Sequence, residues 1–145
     1  TLWDQSFIGW ALDHLWAIPV KRGVADREAL MSAGACLQAG ELVGIFPEGT
    51  RKFKNVEDDV RGGAAFLAIR NKVPVVPVGF AGTDLIRPPG QRLLHFPRVV
   101  ISVGEPIEPA SIPEGGRRER LDALTVMLMA RIAEQARVAE EARRR

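Results

Sequence analysis

The 145 residues suffice for a single domain, spanning 1–145, built on one hydrophobic core. With 46% hydrophobic and 26% charged residues the chain is globular rather than disordered, and a net charge of +2 is too small to argue for a nucleic-acid partner. A lone cysteine, Cys36, excludes an intrachain disulfide and fits a reducing compartment. No apolar run reaches the ~18 residues that a membrane-spanning helix needs, and no signal peptide is visible. The sequence opens on Thr1 rather than Met and reads from its first residues as the interior of an element, so the domain is expected to be N-terminally incomplete.

In chain order, Phe7, Ile8, Ala11, Leu12 and Leu15 form a helical stripe over residues 5–16. Ala17-Ile18-Pro19-Val20 is short and β-like and ends at Lys21-Arg22-Gly23. Asp26 fits the N-cap of a helix over 27–39, with Leu30, Ala33 and Leu37 facing inward and Gly40 just past its end. Leu42 to Phe46 reads as a buried strand, followed by the loop Pro47-Glu48-Gly49-Thr50. Residues 52–61 are charged and irregular, and Gly62-Gly63 is expected to open a helix that ends near Asn71. Val73 to Phe80 is rich in β-formers, but Pro74 and Pro77 confine it to an edge or break it at its end. Residues 81–97 read as a long surface loop, Val99 to Val103 as another strand, and 117–143 as an amphipathic helix with Leu121, Leu124, Leu128 and Ile132 on one stripe. Strands alternating with helices at this spacing predict an α/β layer architecture, a largely parallel or mixed sheet flanked by helices.

The transition at Phe46 carries the most chemistry. Pro47 fixes φ, Gly49 lets backbone N–H groups approach a ligand, Thr50 adds a hydroxyl, and Arg51 presents a planar fork suited to phosphate oxygens. Such a loop lies beyond the carboxyl end of a strand, where open α/β sheets hold their ligands. By themselves these residue types fit either an anion site or an ordinary tight turn with solvated charges, and the turn is the commoner case. Lys52, Lys54 and Arg61 either widen the positive field of the loop or form a solvated charge run. Trp3, Trp10 and Trp16 fit core packing more simply than a membrane interface, and Arg143-Arg144-Arg145 fits a solvated tail more simply than a lipid contact.

The hexapeptide Phe46-Pro47-Glu48-Gly49-Thr50-Arg51 resembles the third sequence block of the glycerophosphate and lysophosphatidic acid acyltransferase family. Three further segments resemble blocks of that family in the same order. Ala17-Ile18-Pro19-Val20-Lys21-Arg22 is similar to the second block, whose arginine helps hold the acceptor phosphate. Arg61-Gly62-Gly63-Ala64 is similar to the Lys-x-Gly-Ala segment, with Arg in place of Lys, and Val73-Pro74-Val75-Val76-Pro77-Val78 is similar to the fourth block with its proline at Pro77. The likeness covers about residues 1–105. The first block, His-x-x-x-x-Asp, is met only in part: Asp4 fits its Asp and Thr1 its hydroxyl position, so the His falls two positions before Thr1. Neither His14 nor His95 has an Asp five residues later, since Pro19 and Val100 stand there, and both read as structural or surface residues.

The resemblance implies acyl transfer from an acyl-CoA or acyl-carrier-protein thioester to the hydroxyl of lysophosphatidic acid, at the cytoplasmic face of a membrane, with no cofactor and no metal. A histidine acts as general base, and Asp4 orients it and stabilises the imidazolium. Asp4 equally suits the N-cap of the first helix, and one carboxylate can serve both ends. Arg22, Glu48, Gly49, Thr50 and Arg51 position the acceptor phosphate, with Arg61, Gly63 and Pro77 in support. Glu48 has the wrong charge to touch phosphate and is assigned to bracing an arginine or bonding the glycerol. Two other outcomes stay open: another acceptor, such as glycerol 3-phosphate or another lysophospholipid, and a phosphate- or lipid-binding module without catalysis.

Overall fold

The computed structural model describes residues 17–18, 27–47, 57–86 and 95–145. The chain divides after Asn71 into two compact units, 1–71 and 72–145.

In the first unit, helix α1 spans Arg27–Gln38 and helix α2 spans Glu57–Asn71. The end of α1 follows from one residue. Gly40 takes the left-handed conformation at φ 82, which lets the N–H of Glu41 reach back to the carbonyl of Cys36 at 3.0 Å and that of Gly40 to Leu37 at 3.1 Å. Helix α2 starts five residues before the glycine pair that was expected to open it. Residues 57–59 are all acidic, the charge that a helix N-terminus favours, and Gly62 and Gly63 are carried inside the helix at a cost that its packing offsets. Ala64, Ala65, Leu67 and Ala68 are buried.

The two helices pack in parallel. A methyl group placed on Gly63 would lie 3.7 Å from Cδ2 of Leu30, and one on Gly34 would lie 3.8 Å from Cδ2 of Leu67. One turn further along both helices, Nε2 of Gln38 donates to Oδ1 of Asn71 at 3.3 Å, while Nδ2 of Asn71 donates to the carbonyl of Leu67 at 2.8 Å. The pairs 30–63, 34–67 and 38–71 advance four residues at a time on each helix, the row along which helix ridges run. Each leucine sits where the other helix has no side chain.

Leu42 to Phe46 is a correction to the sequence reading. The segment has no regular secondary structure, and Leu42 and Phe46 are 92% and 77% exposed, whereas Pro47 is buried. Apolar β-formers supply propensity, but a strand exists only as a member of a pair.

In the second unit, strand β1 (Val78–Ala81) pairs antiparallel with strand β2 (Val100–Val103), with Gly79 opposite Ser102 and Phe80 opposite Ile101. Val75 and Ile107 extend the pairing by exchanging both backbone hydrogen bonds, at 3.0 and 2.8 Å, and Pro77 ends the ladder's continuity where its missing N–H predicts. Among the described residues the sheet is this one antiparallel pair, and no parallel pairing is present, in contrast to the largely parallel or mixed sheet expected. Between β1 and β2 the described residues contain only a 3-10 turn at Thr83–Leu85 and no crossover helix, which a parallel return requires.

Helix α3 (Arg117–Arg144) lies across one face of the pair. Leu124, Leu128 and Ala139 are buried along it, with Leu121 and Ile132 half-buried beside them. A β-carbon on Gly79 would collide with the N of Ala136 and the C of Gln135, and would stand 2.6 Å from the Gln135 carbonyl oxygen. At the same rung the Ser102 hydroxyl donates to Oε1 of Gln135 at 2.7 Å. The helix is therefore seated on backbone at β1 and on a hydroxyl at β2. Its first turn is closed by the Gly116 N–H donating to Oε2 of Glu119 at 2.9 Å.

Candidate functional site

Most of the residues that the sequence assigns to the site, namely Asp4, Arg22, Glu48, Gly49, Thr50 and Arg51, lie outside the described residues, as do Thr1, His14, Lys52, Lys54 and the three tryptophans. The described structure brings up to the edges of that loop. On its N-terminal side Phe46 is exposed and Pro47 buried, so the chain turns inward at the proline. On its C-terminal side α2 begins at Glu57 and carries Arg61 in its second turn.

Gly63 and Pro77 are fully placed. Gly63 faces α1, where an added β-carbon would meet Cδ2 of Leu30 at 3.7 Å, an ordinary contact distance. Pro77 is among the fully buried side chains, and its carbonyl accepts the N–H of Gly104 at 2.9 Å. Its ring also crowds Gly104, where a β-carbon would stand 3.0 Å from the Pro77 Cγ. Gly63 and Pro77, two of the three residues that the family pattern marks as support, thus lie in packing contacts within their own units. Sequence reasoning passed over Gly34, the counterpart of Gly63; its signal was a glycine four residues after Leu30 inside a helix, where glycine is otherwise disfavoured.

His95 lies in a loop, as expected, and its backbone N–H donates to the carbonyl of Ile86 at 2.8 Å. Among the described residues three titrating groups depart from their ordinary values: Cys36, Glu140 and its partner Arg143. Partial burial, then a hydrogen bond and the charge of Glu41, push the Cys36 thiol up. Hydrogen bonds from Arg143 and Arg144 hold the Glu140 carboxyl down at about 2. None of these groups adjoins the candidate loop in sequence. Among the described residues no cluster of His, Cys, Asp and Glu could hold a metal ion, and no helix is long and apolar enough to cross a membrane.

Residues 1–81 match the Acyltransferase family model. The chain is 32% identical over 133 residues to the 1-acyl-sn-glycerol-3-phosphate acyltransferase of Bacillus subtilis, covering 92% of this chain and 64% of that protein. It is 33% identical over 104 residues to the chloroplastic 1-acyl-sn-glycerol-3-phosphate acyltransferase BAT2 of Brassica napus, covering 69% of this chain and 30% of the plant protein. The chain thus spans less than two thirds of the length of these relatives. Its fold is similar to that of the crystal structure of the 1-acyl-sn-glycerophosphate acyltransferase PlsC from Thermotoga maritima, with a TM-score of 0.67 at 24% identity, over 99% of this chain and 54% of that one. The family match takes in more than half of the sequence and contains every block that the motifs marked, from Asp4 to Pro77: the chain belongs to the acyltransferase family.

Proposed function

We propose that this chain is the acyltransferase domain of an enzyme that moves a fatty acyl group from an acyl-CoA or acyl-carrier-protein thioester to the free hydroxyl of lysophosphatidic acid, at the cytoplasmic face of a membrane. The observation that carries this reading is the unbroken hexapeptide Phe46-Pro47-Glu48-Gly49-Thr50-Arg51, in order between Arg22 and the Arg61-Gly62-Gly63-Ala64 segment inside the matched region. The names of the similar proteins, which specify 1-acyl-sn-glycerol-3-phosphate as acceptor, support the choice of substrate.

The chemistry then divides among the residues. Arg51 and Arg22 bind the phosphate through charge-assisted hydrogen bonds, with the backbone at Gly49 and the hydroxyl of Thr50 completing the cradle. Glu48 braces an arginine or bonds the glycerol. Asp4 orients the imidazole of a histidine that the family pattern places five positions before it. That imidazole takes the proton from the acceptor hydroxyl as the oxygen attacks the thioester carbonyl, and the thiolate departs. Both substrates are held together, so no acyl-enzyme is required.

The test is steady-state kinetics of Arg51→Ala in the protein that carries this sequence. Loss of one charge-assisted contact to phosphate, about 1.5–3 kcal/mol, raises the acceptor KM by about tenfold or more and leaves the donor KM unchanged. An unchanged acceptor KM would remove Arg51 from the phosphate site. Binding of lysophosphatidic acid with no turnover would favour a binding module, and turnover of glycerol 3-phosphate in its place would reassign the acceptor.

A further inference from the structure

We propose that one end of the second unit is a lipid-contact surface, in which Phe96, Leu85 and Ile86 enter the interface of a bilayer while Arg98 and Arg144 meet its anionic headgroups. The inference goes beyond the proposed reaction and rests on it only for the choice of partner, since the acceptor there is a lipid.

The surface is built where three pieces of chain converge on one glycine. Gly82 leaves β1 in the left-handed conformation at φ 86. A β-carbon on it would collide with the carbonyl oxygen of Arg98 and stand 3.0 Å from Cδ of Arg143. Residues 82–86, residues 95–99 and the last turn of α3 therefore meet at this point. Four residues further out the two flanks of the loop are tied again, where the N–H of His95 donates to the carbonyl of Ile86 at 2.8 Å. The arginines at the end of α3, which read from the sequence as a solvated tail, are thus fixed at the base of the loop.

The side chains presented there combine apolar groups with cations. Phe96 is 96% exposed, and Leu85, Ile86 and Val99 are exposed beside it. Arg98 and Arg144 are exposed as well. Glu140 is shared by Arg143 and Arg144, so that trio keeps a positive charge, and the charge of Asp84 acts on Arg143. Apolar and aromatic groups flanked by arginines are the composition of a surface that lies in a membrane interface, where arginine stems stay among apolar groups and their heads reach phosphate. The exposure of Phe96 favours lipid over protein as the partner. A protein would need a pocket shaped to a ring that stands almost free of its own chain, whereas a bilayer closes around such a ring without one.

The experiment puts a photoreactive group at the tip. Phe96→p-benzoylphenylalanine is made in the protein that carries this sequence. Val126→p-benzoylphenylalanine is the comparison, an exposed position on α3 about 25 Å along the axis from Arg143. Each is irradiated with vesicles of phosphatidylcholine, alone or mixed with phosphatidylglycerol, and the adducts are identified by mass. Position 96 is expected to give lipid adduct at about five times the yield of position 126 or more. Adding Arg98→Gln and Arg144→Gln is expected to lower the yield at 96 about fivefold or more on the mixed vesicles and to leave it unchanged on phosphatidylcholine alone. Equal yields at the two positions, an adduct at 96 formed with protein instead of lipid, or a yield at 96 indifferent to the arginines overturns the lipid surface. All three substituted side chains of the surface are exposed, so Tm is expected to stay close to that of wild type. Acyl transfer from oleoyl-coenzyme A to 1-oleoyl-lysophosphatidic acid by the wild-type protein separates the two readings. Lipid adduct without transfer overturns the proposed reaction and leaves this surface standing, and transfer without lipid adduct does the reverse.

Discussion

Two regions of this molecule use glycine to bring elements together, and they use it differently. Where α3 crosses β1, Gly79 meets the helix backbone itself: the position of a β-carbon is taken by the peptide between Gln135 and Ala136. Where α1 meets α2, Gly34 and Gly63 meet the far ends of leucine side chains at ordinary contact distance, 3.8 and 3.7 Å. A glycine seated on backbone sets an element spacing that nothing else in the sequence can reproduce. A glycine seated on a side chain sets only how much of that side chain is accommodated, and its neighbour can adjust.

Gly79→Ala probes the first case. The added methyl has no open rotamer to move into, since it meets backbone rather than a flexible tip. Either α3 lifts from the sheet or β1 bends, and the hydrogen bond from Ser102 to Gln135 at the same rung is lost with either movement. The expected destabilisation is about 3 kcal/mol or more, the upper end of overpacking effects. Chemical denaturation of the variant measures it. A change below about 1 kcal/mol would mean that α3 does not rest on the strand as described.

Gly34→Ala and Gly63→Ala probe the second case, with the opposite sign. Each sits inside a helix, where alanine is favoured over glycine by about 1 kcal/mol. Each added methyl falls at van der Waals distance from a leucine. Both variants are expected to match wild type or exceed it by up to about 1 kcal/mol in chemical denaturation. A clear loss at Gly63 alone would show that the gap over it is narrower than 3.7 Å or is filled by something besides Leu30.

This contrast also explains what was legible in the sequence. The three helices were visible because apolar spacing and a terminal glycine at position 40 fix them locally, and helix hydrogen bonds close within a few residues. Strands β1 and β2 were visible as apolar runs, and the prolines at 74 and 77 correctly limited the first. The partner of each strand was less legible, because pairing joins residues some twenty positions apart and leaves no local trace. Leu42 to Phe46 failed for the same reason: its composition announces a strand, but composition cannot supply a ladder. The start of α2 was missed because two glycines in a row look like a boundary when the leucine that one of them accommodates is thirty-three residues upstream. The motif residues of the candidate site rest on the family pattern alone, and that pattern says nothing of Leu30 or Gly34. Their part lies in a spacing between two helices, which a motif read along one chain segment does not contain.

The smallest effect is expected at the far end of α3, where the contact is made by charge instead of shape. Glu140 accepts hydrogen bonds from Arg143 at 2.9 and 2.8 Å and from Arg144 at 3.0 Å, and these bonds hold its carboxyl at about 2. The bond to Glu140 in turn raises the Arg143 guanidinium, with the charge of Asp84 adding to it. A carboxylate depressed by folding stabilises the native state above its unfolded pKa, and the contribution fades as pH falls from the usual carboxylate range through about 2. The sign therefore predicts a Tm that declines on acidification below about pH 4.5, with part of that decline assigned to this one residue. Glu140→Gln should flatten the curve between about pH 4.5 and 2 while lowering Tm only slightly near neutrality, because Arg144 is 74% exposed and pairs of this kind contribute little once screened. Raising the salt concentration should narrow the difference between wild type and variant, as it does for solvent-facing pairs. If the two proteins instead lose stability in parallel down to pH 2, the cluster holds its geometry without contributing to stability. Shape, at Gly79 and its rung, would then account for the seating of α3 on the sheet.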